Sequence, residues 1–364
     1  MLYRVSLGLT FTSGFTAPVV AQTTSKNVVL VVLDGVRWQE IFTGADSVLL
    51  ARESDAVRTV FWRATPEARR TVLMPFLWTI GARDGVILGN RSRGSSMRVT
   101  NGRNVSYPGY DEMLTGKPDA RIRNNRAGRN RHRTLFDWLA AKPEFDGRVA
   151  AYGTWGTFDD IFNRDRADFV VRAGWRPPYA TPRTAEDSSI NRVYRAATRE
   201  FNDVAPDSLL QRVVLSGLRR ETPRVMFVGF GATDEWAHHG KYGQTLRAVQ
   251  LADSLIAELW KTLQSMPEYR GTTTLLITTD HGRGSTARTW RDHDDKTPGS
   301  DETWLAAIGP DTPPIGERRS GAMLATSQIA ATIAALLGED YASTVDGVAP
   351  PIADLIRRRA VRDQ

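Results

Sequence analysis

Asn27-Val-Val-Leu-Val-Val-Leu33 is an unbroken run of apolar, mostly β-branched residues, and Asp34 follows it directly. Such a run predicts a strand buried on both faces of a parallel sheet. The same pattern recurs at Val225–Phe230 (VMFVGF) and Thr272–Thr278 (TTTLLIT). The chain is therefore expected to build one central sheet from segments that lie far apart in the sequence.

Helical patterns alternate with these strands. Apolar residues recur with helical spacing over Thr134–Ala141, Thr245–Gln264 and Ser327–Leu337. Arg148–Tyr152 and Trp304–Ile308 are shorter strand candidates. Strands that alternate with helices predict an α/β fold, here a doubly wound, mostly parallel sheet flanked by helices.

One segment departs from this alternation. Phe158–Arg192 is rich in Arg, Asp, Pro and aromatic residues and has little periodicity. We interpret the region around residues 155–200 as an insertion that caps the sheet. Residues 22–364 are then expected to form one domain that carries this cap.

The first residues are typical of an export signal. Arg4 precedes the mostly apolar stretch Val5–Val20, and Val19 and Ala21 fit a small-residue cleavage site. Residues 1–21 are therefore predicted to be a signal peptide, which places the protein in the periplasm or outside the cell. No apolar run reaches the roughly 18–20 residues of a membrane span.

Composition limits the possible chemistry. The chain has no cysteine, so disulfides, thiolate metal sites and cysteine nucleophiles are excluded. The net charge is +7, and with only six lysines nearly all the basic residues are arginine. Arginine suits an anionic substrate because its guanidinium holds phosphate in a bidentate fork. Solvated surface arginines would give the same excess.

Carboxylates follow three of the predicted strands. Asp34 ends the first, Asp234 comes shortly after VMFVGF, and Asp280 with His281 ends TTTLLITT. In open α/β sheets, ligands bind beyond the carboxyl ends of the strands. A single Asp after a strand is commonly a helix cap, but three in register, two of them near histidine, predict a functional site.

Four of the five histidines lie in two short segments. Asp234 and His238 are four residues apart, which on a helix puts both side chains on one face. His293 lies in a polar loop, where it offers a further nitrogen ligand or is a solvated histidine. Nitrogen and oxygen ligands of this kind suit Zn²⁺, Mn²⁺ or Fe, and their number is sufficient for two ions.

The ordered motifs Val32-Leu-Asp34-Gly, Asp234-x-x-x-His238 and Thr279-Asp-His281-Gly resemble the alkaline phosphatase superfamily, in particular its nucleotide pyrophosphatase/phosphodiesterase-like branch. Ser327–Gly338 is similar to the superfamily's late helix. The resemblance extends from about residue 27 to residue 340. It implies a metal-dependent phosphoric ester hydrolase that acts on a small-molecule phosphate ester, with no obligatory nucleic acid partner.

The resemblance also implies roles for single residues. Ser106, which precedes Tyr-Pro and a later Thr115-Gly116, matches the nucleophile that forms a phosphoseryl intermediate. A serine followed by proline also suits the N-cap of a helix. Asn125 is the favoured candidate for holding a phosphate oxygen.

By the same analogy, two divalent ions, with zinc the first candidate, are held by two sets of ligands. One set is Asp34, Ser106, Asp280 and His281, and the other is Asp234, His238 and His293.

Other functions fit parts of the sequence. A phosphotransferase of the mutase type shares the metal core, and sulfate or phosphonate ester hydrolases belong to the same superfamily. A formylglycine sulfatase is disfavoured because Tyr110 stands where that motif requires Arg. A non-enzymatic alternative is a polyanion-binding module that uses the arginines between Arg121 and Arg133, which also resemble a solvated loop or a phosphate clamp.

Overall fold

Asn27–Leu33 forms the predicted strand in the computed structural model, which describes residues 24–357. The strands are β1 (Asn27–Leu33), β2 (Gly85–Leu88), β3 (Met97–Arg98), β4 (Val149–Gly153), β5 (Val170–Ala173), β6 (Val225–Phe230), β7 (Thr273–Thr278), β8 (Glu302–Thr303), β9 (Leu305–Ile308), β10 (Gly316–Glu317) and β11 (Leu324–Ala325). The helices are α1 (Trp38–Thr43), α2 (Ser47–Leu50), α3 (Asp55–Phe61), α4 (Pro66–Leu73), α5 (Ala82–Asp84), α6 (Ser106–Thr115), α7 (Leu135–Ala140), α8 (Phe158–Ile161), α9 (Ala185–Ala196), α10 (Asp207–Glu221), α11 (Ala232–His238), α12 (Tyr242–Ser265), α13 (Gln328–Leu336) and α14 (Tyr341–Thr344).

Eight strands form the main sheet in the order β10-β2-β9-β7-β1-β6-β4-β5. The five strands from β7 to β5 run parallel, and β9 is antiparallel to both of its neighbours. A small sheet, β11-β3-β8, lies beside it. The predicted α/β fold with a mostly parallel, doubly wound sheet is confirmed.

The central strand β1 contributes to a core on each face of the sheet. Val29, Val31 and Leu33 pack into one buried cluster, which includes residues of α10 and α12. Val28, Leu30 and Val32 pack into the other, with residues of α6, α7 and α13. Because successive side chains of a strand point to opposite faces, an unbroken apolar run is required only where both faces are covered.

The predicted cap region contains one strand of the main sheet. Val170–Ala173 was expected to belong to the cap over the sheet, but it forms the edge strand β5, paired in parallel with β4. The segment lacks the apolar run of a central strand because an edge strand is only half buried, and Arg172 instead forms an ion pair with Glu221. The assignment of residues 155–200 as a cap is corrected to this extent.

The predicted signal peptide, residues 1–21, lies outside the described residues, so export remains a prediction. Among residues 24–357, no helix combines the length and the apolar character needed to cross a membrane.

Candidate metal centre and nucleophile

The site lies where the central strands end. Within the sheet, Leu33 is in register with Phe230, and Val32 is in register with Thr278. The residues that follow these three parallel strands therefore emerge at the same edge. Asp34 comes directly after β1, α11 begins two residues after β6, and Asp280 comes two residues after β7.

Ser106 is the first residue of helix α6, and its side chain lies close to this edge. Its Oγ lies 3.2 Å from Nε2 of His281 and 3.5 Å from Oδ1 of Asp34, and the side chain is buried. The expected N-cap role of Ser106 is corrected, because the extended residue Val105 is the N-cap and Ser106 is the first helical residue. Its hydroxyl points to the acidic cluster instead of bonding the helix backbone.

Asp34, Asp280 and His281 form a fully buried cluster. Nε2 of His281 lies 3.5 Å from Oδ1 of Asp34 and 3.4 Å from Oδ2 of Asp280. Burial raises the pKa of each carboxyl group to about 7, and for Asp34 the charge of Asp280 adds to the effect. Oδ1 of Asp280 accepts a hydrogen bond from the Gly35 amide, whereas its buried Oδ2 has no hydrogen-bond partner.

A second cluster adjoins the first. Oδ2 of Asp234 lies 3.1 Å from Nε2 of His238, which confirms that the i,i+4 spacing places both on one face of α11. Nε2 of His293 lies 2.9 Å from Nε2 of His238 and 3.8 Å from Oδ1 of Asp234. The imidazole of His293 also stacks on that of His281, with ring centroids 3.8 Å apart.

Hydrogen bonds fix the orientation of both buried imidazoles. Nδ1 of His281 lies 2.8 Å from the carbonyl oxygen of Gly282, and Nδ1 of His293 lies 2.9 Å from that of Asn104. A carbonyl oxygen only accepts, so both Nδ1 atoms carry the proton and each Nε2 atom has a lone pair, which can accept a hydrogen bond or bind a metal ion. Burial lowers the pKa of both histidines, which favours the neutral form that binds metals.

These residues fit divalent cations. Ligand atoms of Asp34, Asp280 and His281 lie within 4.8 Å of one another, and so do those of Asp234, His281 and His293. A cation would offset the free-energy cost of burying the charged carboxylates. It would also bind the Oδ2 atom of Asp280, which has no hydrogen-bond partner. The sets differ from the expected ones in that His281 takes part in both and His238 lies at the rim, with 46% of its side chain exposed.

Asn125 and His239 lie at the edges of the site. Oδ1 of Asn125 accepts a hydrogen bond from the backbone amide of Tyr107, at the first turn of α6. Its amide group is therefore next to Ser106 but fixed to the helix through its oxygen. His239, the residue after His238, packs against Phe201 and Trp236.

Gly109 and Tyr110 of α6 both pack against residues of the first cluster. A Cβ at Gly109 would lie 2.4 Å from the carbonyl oxygen of Asp280, so the helix can approach that strand end only with glycine here. Tyr110 is fully buried and donates a hydrogen bond from its hydroxyl to Oδ2 of Asp34, at 3.1 Å. Sequence reasoning missed the contact to Asp34, which no local pattern signals.

Arg283 is a second residue that sequence reasoning missed. Its guanidinium is almost fully buried and forms an ion pair with Oδ1 of Asp234. It also donates hydrogen bonds to the carbonyl oxygens of Gly35 and Arg291. Burial lowers the pKa of Arg283 to about 9, so it stays charged at neutral pH. The arginine thus joins the ends of β1, α11 and the loop that carries His293.

Replacing Arg283 by Met is expected to lower the free energy of unfolding by about 3–5 kcal/mol, because a partly buried Asp234 loses its counter-charge. Metal retention at Asp234 should weaken as well. Thermal unfolding with and without chelator and metal content after dialysis measure both effects, and Arg283→Lys is the charge-conserving control. A Met variant with the stability and metal content of the unchanged protein would contradict this role.

Helix α11 is anchored by a buried carboxyl group. Oδ1 of Asp207 accepts from the Gly231 amide at 3.2 Å, and its Oδ2 has no partner. Burial raises the pKa of Asp207 to about 7.

Because the folded state keeps the proton of Asp207 and the unfolded state releases it near pH 4, Asp207 should reduce stability as pH rises from about 4 to about 7, at about 1.4 kcal/mol per pH unit. Asp207→Asn should remove this contribution, with the surface change Asp146→Asn as control. Urea unfolding of chelated protein at pH 5 and 7 tests it, and equal slopes with and without Asp207 would contradict it.

Comparison with known proteins identifies the family to which the chain belongs. The family model for type I phosphodiesterase / nucleotide pyrophosphatase matches residues 50–297, a span that contains Ser106, Asp234, His238, Asp280 and His293. The chain belongs to this family. A search of curated protein sequences found no match to this phosphodiesterase-family chain.

Solved structures of the alkaline phosphatase superfamily share the fold of this family member. Alkaline phosphatase PafA is 9% identical, with a TM-score of 0.60 over 91% of this chain and 99% of that one. The lipoteichoic acid synthase LtaP of Listeria monocytogenes is 13% identical, with a TM-score of 0.56 over 88% of this chain and 74% of that one. A TAB5 alkaline phosphatase mutant with bound Mg is 12% identical, with a TM-score of 0.51 over 87% and 99%.

The family match assigns the chain to the hydrolases of phosphate esters, and the solved structures share its fold.

Proposed function

We propose that this protein is a two-metal hydrolase of phosphate mono- or diesters that acts through a phosphoseryl intermediate on Ser106. The observation that carries the proposal is the position of the Ser106 hydroxyl, 3.2 Å from Nε2 of His281 at the junction of two acidic, histidine-containing clusters. A serine used only as a helix cap would bond its own helix, and this one does not.

In this proposal Asp34, Ser106, Asp280 and His281 hold one cation, and Asp234, His238 and His293 hold the other. Zinc suits the mixed carboxylate and imidazole donors, and manganese or iron are alternatives. When bound, the cations supply the positive charge that lowers the pKa of the serine hydroxyl and stabilises the attacking and leaving oxygens.

The residues of the chain then perform two displacements. Ser106 Oγ releases its proton and forms a bond to phosphorus as the bond to the leaving alcohol oxygen breaks, and that oxygen takes up a proton. Water next releases a proton and attacks phosphorus from the vacated side as the bond to Oγ breaks. Oγ takes up a proton, which restores the serine, and phosphate or a phosphate monoester is released. The amino-terminal end of α6 favours negative charge at Ser106 throughout.

Two neighbours position the reacting groups. Tyr110 holds Oδ2 of Asp34 by its hydrogen bond, so that Oδ1 stays directed at Ser106. Asn125 keeps its oxygen on the first turn of α6, which leaves its NH₂ group available to donate to a phosphate oxygen. Tyr110, which holds Asp34, stands at the position where the formylglycine sulfatase motif has an arginine. The site therefore differs from that motif.

Metal analysis combined with a substrate panel tests the proposal. Purified protein is assayed with p-nitrophenyl phosphate, bis-p-nitrophenyl phosphate, a phenylphosphonate ester and p-nitrophenyl sulfate. We expect two divalent ions per chain, turnover of phosphate esters above that of the sulfate, loss of activity with EDTA and recovery with Zn²⁺ or Mn²⁺. Full activity in EDTA with no bound metal, or a clear preference for sulfate, would overturn the proposal.

A further inference from the structure

The loop before α7 forms an arginine-lined cavity next to the nucleophile helix. The cavity has a volume of about 650 Å³, and Tyr107, the residue after Ser106, lies in its wall. Its cationic lining consists of Arg121, Arg123, Arg126, Arg129 and Arg131. Asp119 is the one carboxylate among the described residues that line it. The cavity therefore carries a strong excess of positive charge, and the residue that follows Ser106 in the sequence lies in its wall.

Hydrogen bonds hold this loop against α6. Besides the contact between Asn125 and the Tyr107 amide, the hydroxyl of Tyr107 donates to the carbonyl oxygen of Gly128 at 2.7 Å. The Nδ2 atom of Asn130 donates to the buried carboxylate of Asp111, also on α6, at 2.9 Å. A purely solvated charged loop does not need these anchors, which fix the backbone of the loop relative to Ser106.

The arginines differ in how they are balanced. Arg121 forms an ion pair with Asp119, and Arg129 contacts Asp160 and Asp165. Arg123, Arg126 and Arg131 form no ion pair with any residue between 24 and 357, although all three line the cavity. Each thus keeps its full set of guanidinium donors, whose planar fork matches a phosphate group.

We propose that this cavity binds a second phosphate group of the substrate, attached to the part of the molecule beyond the phosphorus that Ser106 attacks. The inference rests on the proposed function, and it narrows the substrate class to esters with a further phosphate. Because a charge-assisted hydrogen bond to phosphate contributes about tenfold or more to affinity, the unpaired arginines should favour a substrate with a second phosphate over one without it.

A matched pair of substrates tests the proposal. The kcat/KM of the metal-loaded enzyme is measured for 1-butyl phosphate and for 1,4-butanediol bisphosphate, which differ only by the second phosphate. We expect the bisphosphate to be preferred by about tenfold or more. The triple variant Arg123→Gln, Arg126→Gln, Arg131→Gln should bring the ratio close to unity.

The control variant removes the same number of exposed, unpaired arginines elsewhere. Arg192→Gln, Arg195→Gln and Arg212→Gln lie on α9 and α10, and their combination should leave the ratio unchanged. A wild-type ratio near unity, or an equal loss in both triple variants, would overturn the proposed subsite.

Binding without turnover separates this subsite from the proposed reaction. Calorimetry with 1,4-butanediol bisphosphate and metal-loaded Ser106→Ala protein should show tighter binding than with 1-butyl phosphate, and the loop variant should lose the difference. If neither these two esters nor any phosphate ester of the substrate panel is hydrolysed but this difference is seen, the proposed function fails and the anion site stands. If the loop variant loses only its binding to single-stranded DNA and keeps the bisphosphate preference, the cavity is a nucleic acid surface and the proposal is wrong.

Discussion

Ser106→Ala is expected to lower the turnover of phosphate esters by at least about 10³-fold, because the substitution removes the atom that accepts the phosphoryl group. Oγ of Ser106 makes no bond that supports the helix backbone, so the fold should be unaffected. Steady-state kinetics with p-nitrophenyl phosphate measures the loss. Acid-quenched protein analysed by mass spectrometry should carry a phosphoryl group on the peptide containing Ser106, and the alanine variant should lack it.

Two further variants sharpen this test. Ser106→Thr keeps a hydroxyl at the same position and should retain measurable turnover. Ser327→Ala removes another buried serine at the start of a helix, next to α13, where the side chain makes no capping bond. It should leave turnover unchanged. Full activity in Ser106→Ala would rule out the covalent route, even if metal removal still abolished hydrolysis.

Asp280→Asn is expected to halve the metal content and to reduce turnover by about 10³-fold, a loss typical of removing a main electrostatic contribution to the transition state. The unpaired buried Oδ2 of Asp280 lies 3.4 Å from Nε2 of His281 and is the oxygen best placed to bind a cation with Asp34. Asparagine preserves the acceptor for the Gly35 amide. Metal content by mass spectrometry and kcat for p-nitrophenyl phosphate test the prediction.

Asp253→Asn is the matched control for this change. Asp253 is also a buried aspartate whose oxygens accept from backbone amides, those of Phe76 and Leu77. Burial raises its pKa to about 6, but it lies outside both ligand clusters. The control should lose neither metal nor activity. If Asp280→Asn kept both ions, the assignment of Asp280 as a ligand would be wrong.

The local sequence pattern was sufficient to predict the central strands of the sheet. β1 and β6 have the predicted bounds, and β7 begins one residue later than expected. These strands were visible because both of their faces are covered, which requires apolar residues at every position. The edge strand β5 was missed for the opposite reason, since a half-buried strand with a paired Arg172 has no such run.

The strand pattern predicted that Asp34, Asp234, Asp280 and His281 lie together at one edge of the sheet, and the structure places them there, because parallel strands deliver whatever follows them to one edge. The tertiary structure decided how these groups share the site. His281 faces both clusters, Tyr110 reaches Asp34 from a different helix, and Arg283 connects Asp234 to the turn after β1. Such contacts join residues up to 248 positions apart, so no local periodicity can encode them. Strand order and packing bring these distant residues together. The burial of a strand on both faces of the sheet, by contrast, can be predicted from its own run of apolar residues.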